Sequence, residues 1–101
     1  MELEYVSKEM LKKEISKILS KYLDLNEYKA FFFGSRVRGH SSPRADIDLG
    51  IEGPRPIPAP IKLQIEEELE NLPILYKIDF VDFKEVSPEF KQLALQQIEF
   101  I

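Results

Sequence analysis

The 101-residue sequence predicts an α/β fold: a small sheet flanked by helices. Three observations carry the prediction. Apolar residues near the N-terminus recur at three- and four-residue spacing, the period of an amphipathic helix. Three short segments, 28–33, 46–51 and 77–83, are rich in aromatic and β-branched residues and read as strands. Helical patterns follow the second and third of them, giving the order α-β-loop-β-α-β-α.

Ser7 is placed to cap the first helix, predicted over about residues 8–23. Met10, Leu11, Ile15, Ile18, Leu19, Tyr22 and Leu23 form its apolar stripe. Lys8, Lys12, Lys13, Lys17 and Lys21 fill the solvated face. Asp24 to Glu27 make a turn. Tyr28-Lys29-Ala30-Phe31-Phe32-Phe33 is the first strand, buried on both faces near its end and stopped by Gly34. Residues 34–44 carry Gly, Ser, Arg and Pro with no apolar period. His40, Ser41 and Ser42 read there as exposed polar loop residues.

Asp46-Ile47-Asp48-Leu49-Gly50-Ile51 alternates acid with aliphatic, the pattern of a second strand. Gly53 to Pro60 alternates prolines and reads as a rigid connector. Pro60 suits the first position of the next helix. Ile61, Ile65, Leu69 and Leu72 are that helix's stripe, Glu66, Glu67, Glu68 and Glu70 its wet face, and Asn71 with Pro73 its stop. Lys77 to Phe83 is a third strand, apolar apart from Asp79 and Asp82. Ser87-Pro88-Glu89 supplies a cap, an N1 proline and a first-turn acid for a last helix. Phe90, Leu93, Ala94 and Ile98 form its inner face.

The length fits one domain, residues 1–101, able to bury roughly two-thirds of its unfolded surface. With 44% hydrophobic and 32% charged residues the chain folds rather than staying disordered. No cysteine is present, which excludes disulfides, a thiol nucleophile and thiolate metal sites. A single histidine excludes His-cluster metal sites. The acidic start, Met1 to Tyr5, is no signal peptide, and no apolar run nears the ~20 residues of a membrane span. A soluble, cytoplasmic protein is expected.

Net charge is −4, unevenly spread: residues 1–50 carry nine Lys/Arg and eight Asp/Glu, residues 51–101 five and ten. Nucleic-acid affinity rests on phosphate neutralisation, so stable nucleic-acid binding is not expected.

Gly34-Ser35, Asp46 with Asp48, and Asp79 need one explanation. Asp46 and Asp48, two apart on a strand, share a face, while Ile47 and Leu49 hold the other face inward. Two ionised carboxylates side by side repel, and a cation between them resolves the conflict. Oxygen-only ligands favour Mg²⁺ or Mn²⁺. A third carboxylate from a neighbouring strand completes a two-ion site of the kind that serves phosphoryl or nucleotidyl displacement. Asp79 and Asp82 have opposite parity, so only one of them can face the pair. Gly34 allows a tight turn into a helix whose N–H groups, with the Ser35 hydroxyl, can hold phosphate, and Arg36 and Arg38 can pair with phosphate oxygens.

Phe33-Gly34-Ser35-Arg36-Val37-Arg38-Gly39, followed by Ala45-Asp46-Ile47-Asp48-Leu49, resembles the signature of the minimal nucleotidyltransferases of the DNA polymerase β-like superfamily. Ten residues separate Ser35 from Asp46, as in Gly-Ser-x10-Asp-x-Asp. Lys77 to Asp82 resembles the strand that brings the family's third acid, which selects Asp79 over Asp82. Two departures stand out. Ala45 occupies the place of the family's usual serine. Many relatives also continue past the last helix into a Gly-containing segment and a short strand, whereas Phe100-Ile101 ends this sequence.

The resemblance implies the polymerase β-like fold, a small mixed sheet flanked by helices. It implies AMP transfer from ATP, with Asp46, Asp48 and Asp79 holding two Mg²⁺ ions and acting in catalysis. Gly34, Ser35, Arg36 and Arg38 would bind the nucleotide. It implies a HEPN-domain toxin as partner in a hetero-oligomer, modified on a hydroxyl, commonly a tyrosine, with this chain as antitoxin. Two other readings stand beside it: a nucleotide-binding module that neutralises a HEPN partner by contact alone, and a small-molecule nucleotidyltransferase whose acceptor pocket is completed by a dimer or a partner.

Overall fold

The computed structural model describes residues 1, 3, 6–39 and 46–101. Four helices and four strands follow in the order α1 (Lys8–Ser20), β1 (Lys29–Phe33), α2 (Ser35–Arg38), β2 (Ile47–Glu52), α3 (Ala59–Glu70), β3 (Ile78–Asp82), α4 (Pro88–Ala94) and β4 (Glu99–Phe100). The strands form one sheet in the order β3-β2-β1-β4. β1 runs antiparallel to β2 and β4, and β2 runs parallel to β3, so the sheet is mixed. A parallel pair needs a long crossover, and the proline connector with α3 supplies it.

The period-two alternation of the strands sorts their side chains onto two faces. Phe32, Ile47, Leu49, Ile51 and Phe80 join Leu11, Ile15, Ile18 and Leu19 of α1 and Ile65 and Leu69 of α3 in the main core. The opposite face carries a small aromatic cluster of Phe31, Phe33 and Phe83, against which Ala94 and Ile98 pack. The Phe31 and Phe83 rings meet edge to face at 4.9 Å. Gly50 makes this possible, because a Cβ there would lie 2.6 Å from the Phe31 ring and 2.7 Å from Phe83.

Boundaries differ from expectation for local reasons. α1 stops at Ser20, with Lys21 as its C-cap, and Met10 is 62% exposed because Leu11 already holds the centre of the stripe. The Ser7 hydroxyl accepts from the Met10 amide at 3.4 Å. Asp46 precedes β2 rather than opening it. α3 begins at Ala59, which makes Pro60 its second residue. Glu68 is drawn from the wet face into bonds with Lys21 Nζ, at 2.5 Å, and the Tyr22 hydroxyl. No residue of α4 is buried: Phe90 is 42% and Leu93 60% exposed, since the helix lies over the sheet without a further layer outside it.

β4 is an addition to the expected order. Phe100 and Glu99 pair with Phe31 and Phe32. The Glu99 carboxylate lies 2.6 Å from the Met1 ammonium and 3.2 Å from both Lys8 and Lys12. Burial alone would raise that carboxyl, but the bonds from Met1, Lys12 and Lys8 outweigh it and hold it at about 2.

Candidate active site

β1 ends in Gly34, whose φ of 82° lies in the left-handed region that favours glycine. The chain then turns into the single helical turn of α2, closed by Gly39 at φ 79°. A Cβ on Gly34 would lie 2.1 Å from Oδ2 of Asp48. The bare Cα is therefore the seat of that carboxylate.

Asp48 pairs across the sheet with Phe33 of β1 and with Asp79 of β3. Neighbouring register partners point the same way, so the two carboxylates share the face opposite the main core. A cavity of about 620 Å³ opens there. Gly34, Ser35, Asp48 and Asp79 line one side of it, and Phe90, Leu93, Gln96 and Gln97, from α4 and the residues after it, line the other. Gln97 Nε2 donates to the Val37 carbonyl at 3.3 Å and ties that wall to α2.

Of the expected site residues, the cavity thus brings together Gly34, Ser35, Asp48 and Asp79. Asp46 is exposed immediately before β2 and is not among the lining residues. Among the described residues no group of three acidic or histidine side chains stands close enough to grip a metal ion. The donor set, carboxylate oxygens beside a glycine that admits one of them at van der Waals range, still fits a hard cation.

Asp82 points to the other face. It is 3% exposed, and its carboxylate accepts from the Ile57 amide at 2.8 Å and the Lys84 amide at 2.9 Å. It anchors the proline connector to the end of β3. Arg36 does not line the cavity. It is 6% exposed, and its guanidinium lies over the Tyr76 ring, 4.5 Å from the centroid. Arg38 ends α2, and its side chain lies outside what is described, as do His40, Ser41, Ser42, Arg44 and Ala45. Gln96 and Gln97 carried no signal in the sequence, because a glutamine after a short helix has no distinctive spacing.

The family described as polymerase beta, nucleotidyltransferase matches residues 8–101. A Haemophilus influenzae protein described as a probable protein adenylyltransferase MntA is 25% identical over 67 residues, which are 66% of this chain and 59% of that protein. The chain thus spans about three-fifths of that relative's length. A chain from a toxin–antitoxin crystal structure with AMP-PNP superposes with a TM-score of 0.71 at 19% identity, covering 88% of this chain and 70% of the other. One from the complex of tri-AMPylated Shewanella oneidensis HEPN toxin with MNT antitoxin gives 0.69 at 17%, covering 93% and 71%. These superpositions show a shared fold.

Proposed function

The chain belongs to the polymerase beta nucleotidyltransferase family, and from that premise we propose that it transfers AMP from ATP to a protein hydroxyl. The acceptor is a tyrosine of a HEPN-domain toxin, and the chain acts as antitoxin in a hetero-oligomer with it. The observation that carries the reading is the pair Asp48 and Asp79, side by side in a cavity whose near wall is Gly34-Ser35. The names of the relatives supply the acceptor class. Among the described residues no helix is long and apolar enough to cross a membrane. The reaction is set in the cytoplasm, where ATP is plentiful.

Gly34 and Ser35 hold the terminal phosphates, through backbone N–H and the serine hydroxyl. Arg38 balances charge on the leaving pyrophosphate, since Arg36, expected to share that role, is buried over Tyr76 outside the cavity. The acceptor oxygen attacks the α-phosphorus. One phosphorus–oxygen bond forms to the acceptor, the bond to pyrophosphate breaks, and the hydroxyl proton passes to the Asp79 carboxylate. Mg²⁺ or Mn²⁺, two ions in this reading, would be held by Asp46, Asp48 and Asp79 and would supply charge neutralisation on the triphosphate. Positioning and electrostatics provide most of the rate.

The test is label transfer from α-³²P ATP, with Mg²⁺, to a co-expressed HEPN partner. Label on the partner with the wild type, and none with Asp48→Asn, is the expected result. A stable complex that never acquires label overturns the transfer reading. The exposed Phe90 and Leu93 beside the cavity favour a second reading, neutralisation by contact. A triple Asp→Asn variant that still neutralises the toxin supports it.

A further inference from the structure

We propose that Arg36 is a positioning residue: its stack on Tyr76 is a strut that fixes the Gly34-Ser35 turn relative to the strand carrying Asp79. The inference rests on the nucleotidyl-transfer reading for its meaning. It narrows that reading by leaving phosphate contact to groups other than Arg36.

α2 is a single turn of four residues between two left-handed glycines, with no side-chain cap at its start. A helix of that length has no stability of its own, and glycine on each side leaves its hinges loose. Yet Ser35, its first residue, faces the cavity and must keep one orientation to hold an anion there. Something outside the helix has to fix it. Gln97 reaches the Val37 carbonyl, but that bond is solvent-exposed.

Arg36 supplies the buried tie. It and Asp82 are the charged residues buried among those described. Tyr76 is itself only 7% exposed and belongs to the main core. A desolvated guanidinium over a tyrosine face is the stronger form of this contact. The connection is also specific in sequence: Arg36 adjoins Ser35, and Tyr76 lies just before β3, three residues ahead of Asp79. The contact therefore links the two parts of the cavity wall that follow β1 and lie on β3, the strands on either side of β2. A buried place over the ring suits arginine better than lysine, because the guanidinium is more weakly hydrated than an ammonium and presents a wider planar group.

The experiment measures Mg²⁺–ATP binding by calorimetry, and backbone hydrogen exchange of residues 35–37 without nucleotide. The variants are Arg36→Gln, Tyr76→Leu, their double, and Tyr76→Phe. Arg36→Gln and Tyr76→Leu should each weaken ATP by roughly five- to thirtyfold and speed exchange in α2. The double variant should be no worse than the worse single, and Tyr76→Phe, which keeps the ring, should recover most of the affinity. Loss of affinity in Arg36→Gln with none in Tyr76→Leu assigns Arg36 to the phosphates and overturns the strut. So does unchanged exchange in both. If Tyr76→Leu does not fold, Arg36→Lys decides: wild-type affinity there, beside a loss in Arg36→Gln, means that charge alone matters and the strut is wrong. A wild type that binds no ATP defeats the nucleotidyl-transfer reading, while the exchange data still judge the strut.

Discussion

Asp48 and Asp79 stand opposite one another as register partners in the parallel pair of β2 and β3, one strand spacing of ~4.8 Å apart across the sheet. Like charges in that relation should repel one another and favour a cation between them. Both consequences are measurable.

Asp79→Asn removes one of the two like charges. Without nucleotide, its melting temperature should rise by roughly 2–6 °C at low salt, and the gain should shrink as salt screens the exposed Asp79. The wild type should be stabilised by Mg²⁺ with ATP through linkage, and Asp46→Asn, Asp48→Asn and Asp79→Asn should each lose that stabilisation. Scanning calorimetry with and without Mg²⁺–ATP reads both. A variant that keeps the full ligand-induced shift removes its residue from the site.

Asp82 makes the contrasting case within the same strand. Its carboxylate satisfies two backbone N–H groups, on Ile57 and Lys84. Asp82→Ala leaves both without that acceptor and should cost ~2–4 kcal/mol in urea unfolding. Transfer activity per folded molecule should stay at the wild-type level. A large loss of activity at unchanged stability would place Asp82, and not Asp79, in the reaction.

How far the sequence carried the fold depends on the range of each contact. The opposite orientation of Asp79 and Asp82 follows from strand parity, and the caps at Ser7 and Ser87 follow from their neighbours three residues on. β4 was not legible. Two residues are too short for any period, and Glu99 is fixed by Met1, Lys8 and Lys12 from the far end of the chain. Arg36 read as a phosphate-binding residue because nothing local announces that Tyr76, forty residues later, will lie against it. Phe90 and Leu93 have the spacing of core residues, but periodicity shows only that a helix has an apolar side, not whether anything packs on it.

Glu99 predicts a pH dependence whose sign can be worked out. Its carboxyl is held at about 2, below the unfolded value of ~4.3. The folded state therefore favours the ionised form, and the stabilisation is fully present above the unfolded value. It is lost as pH falls from ~4.3 towards 2. At neutral pH Glu99→Gln should be less stable by at most ~3 kcal/mol, and the gap between the two proteins should close by pH 2. Paired urea titrations from pH 7 to pH 2 measure that gap. Curves that remain parallel across the range would show that the ammonium groups contribute nothing net.

Gly34 and Gly39 flank α2 with nearly the same positive φ, 82° and 79°, but with different ψ, −161° and 17°, and they differ in what lies above them. A methyl group on Gly34 meets the Asp48 carboxylate, while one on Gly39 meets nothing within 4 Å. Gly39→Ala carries the ordinary left-handed strain, ~1 kcal/mol, while Gly34 has a backbone that is essentially reserved for glycine and strains alanine by ~1–3 kcal/mol. Gly34→Ala must in addition push Asp48 from its seat or open the β1–α2 turn, and should lose ~2–5 kcal/mol in total. Mg²⁺–ATP should then stabilise Gly39→Ala as it does the wild type and fail to stabilise Gly34→Ala. Equal ligand-induced shifts in the two variants would mean that the contact between Gly34 and Asp48 has no part in holding nucleotide.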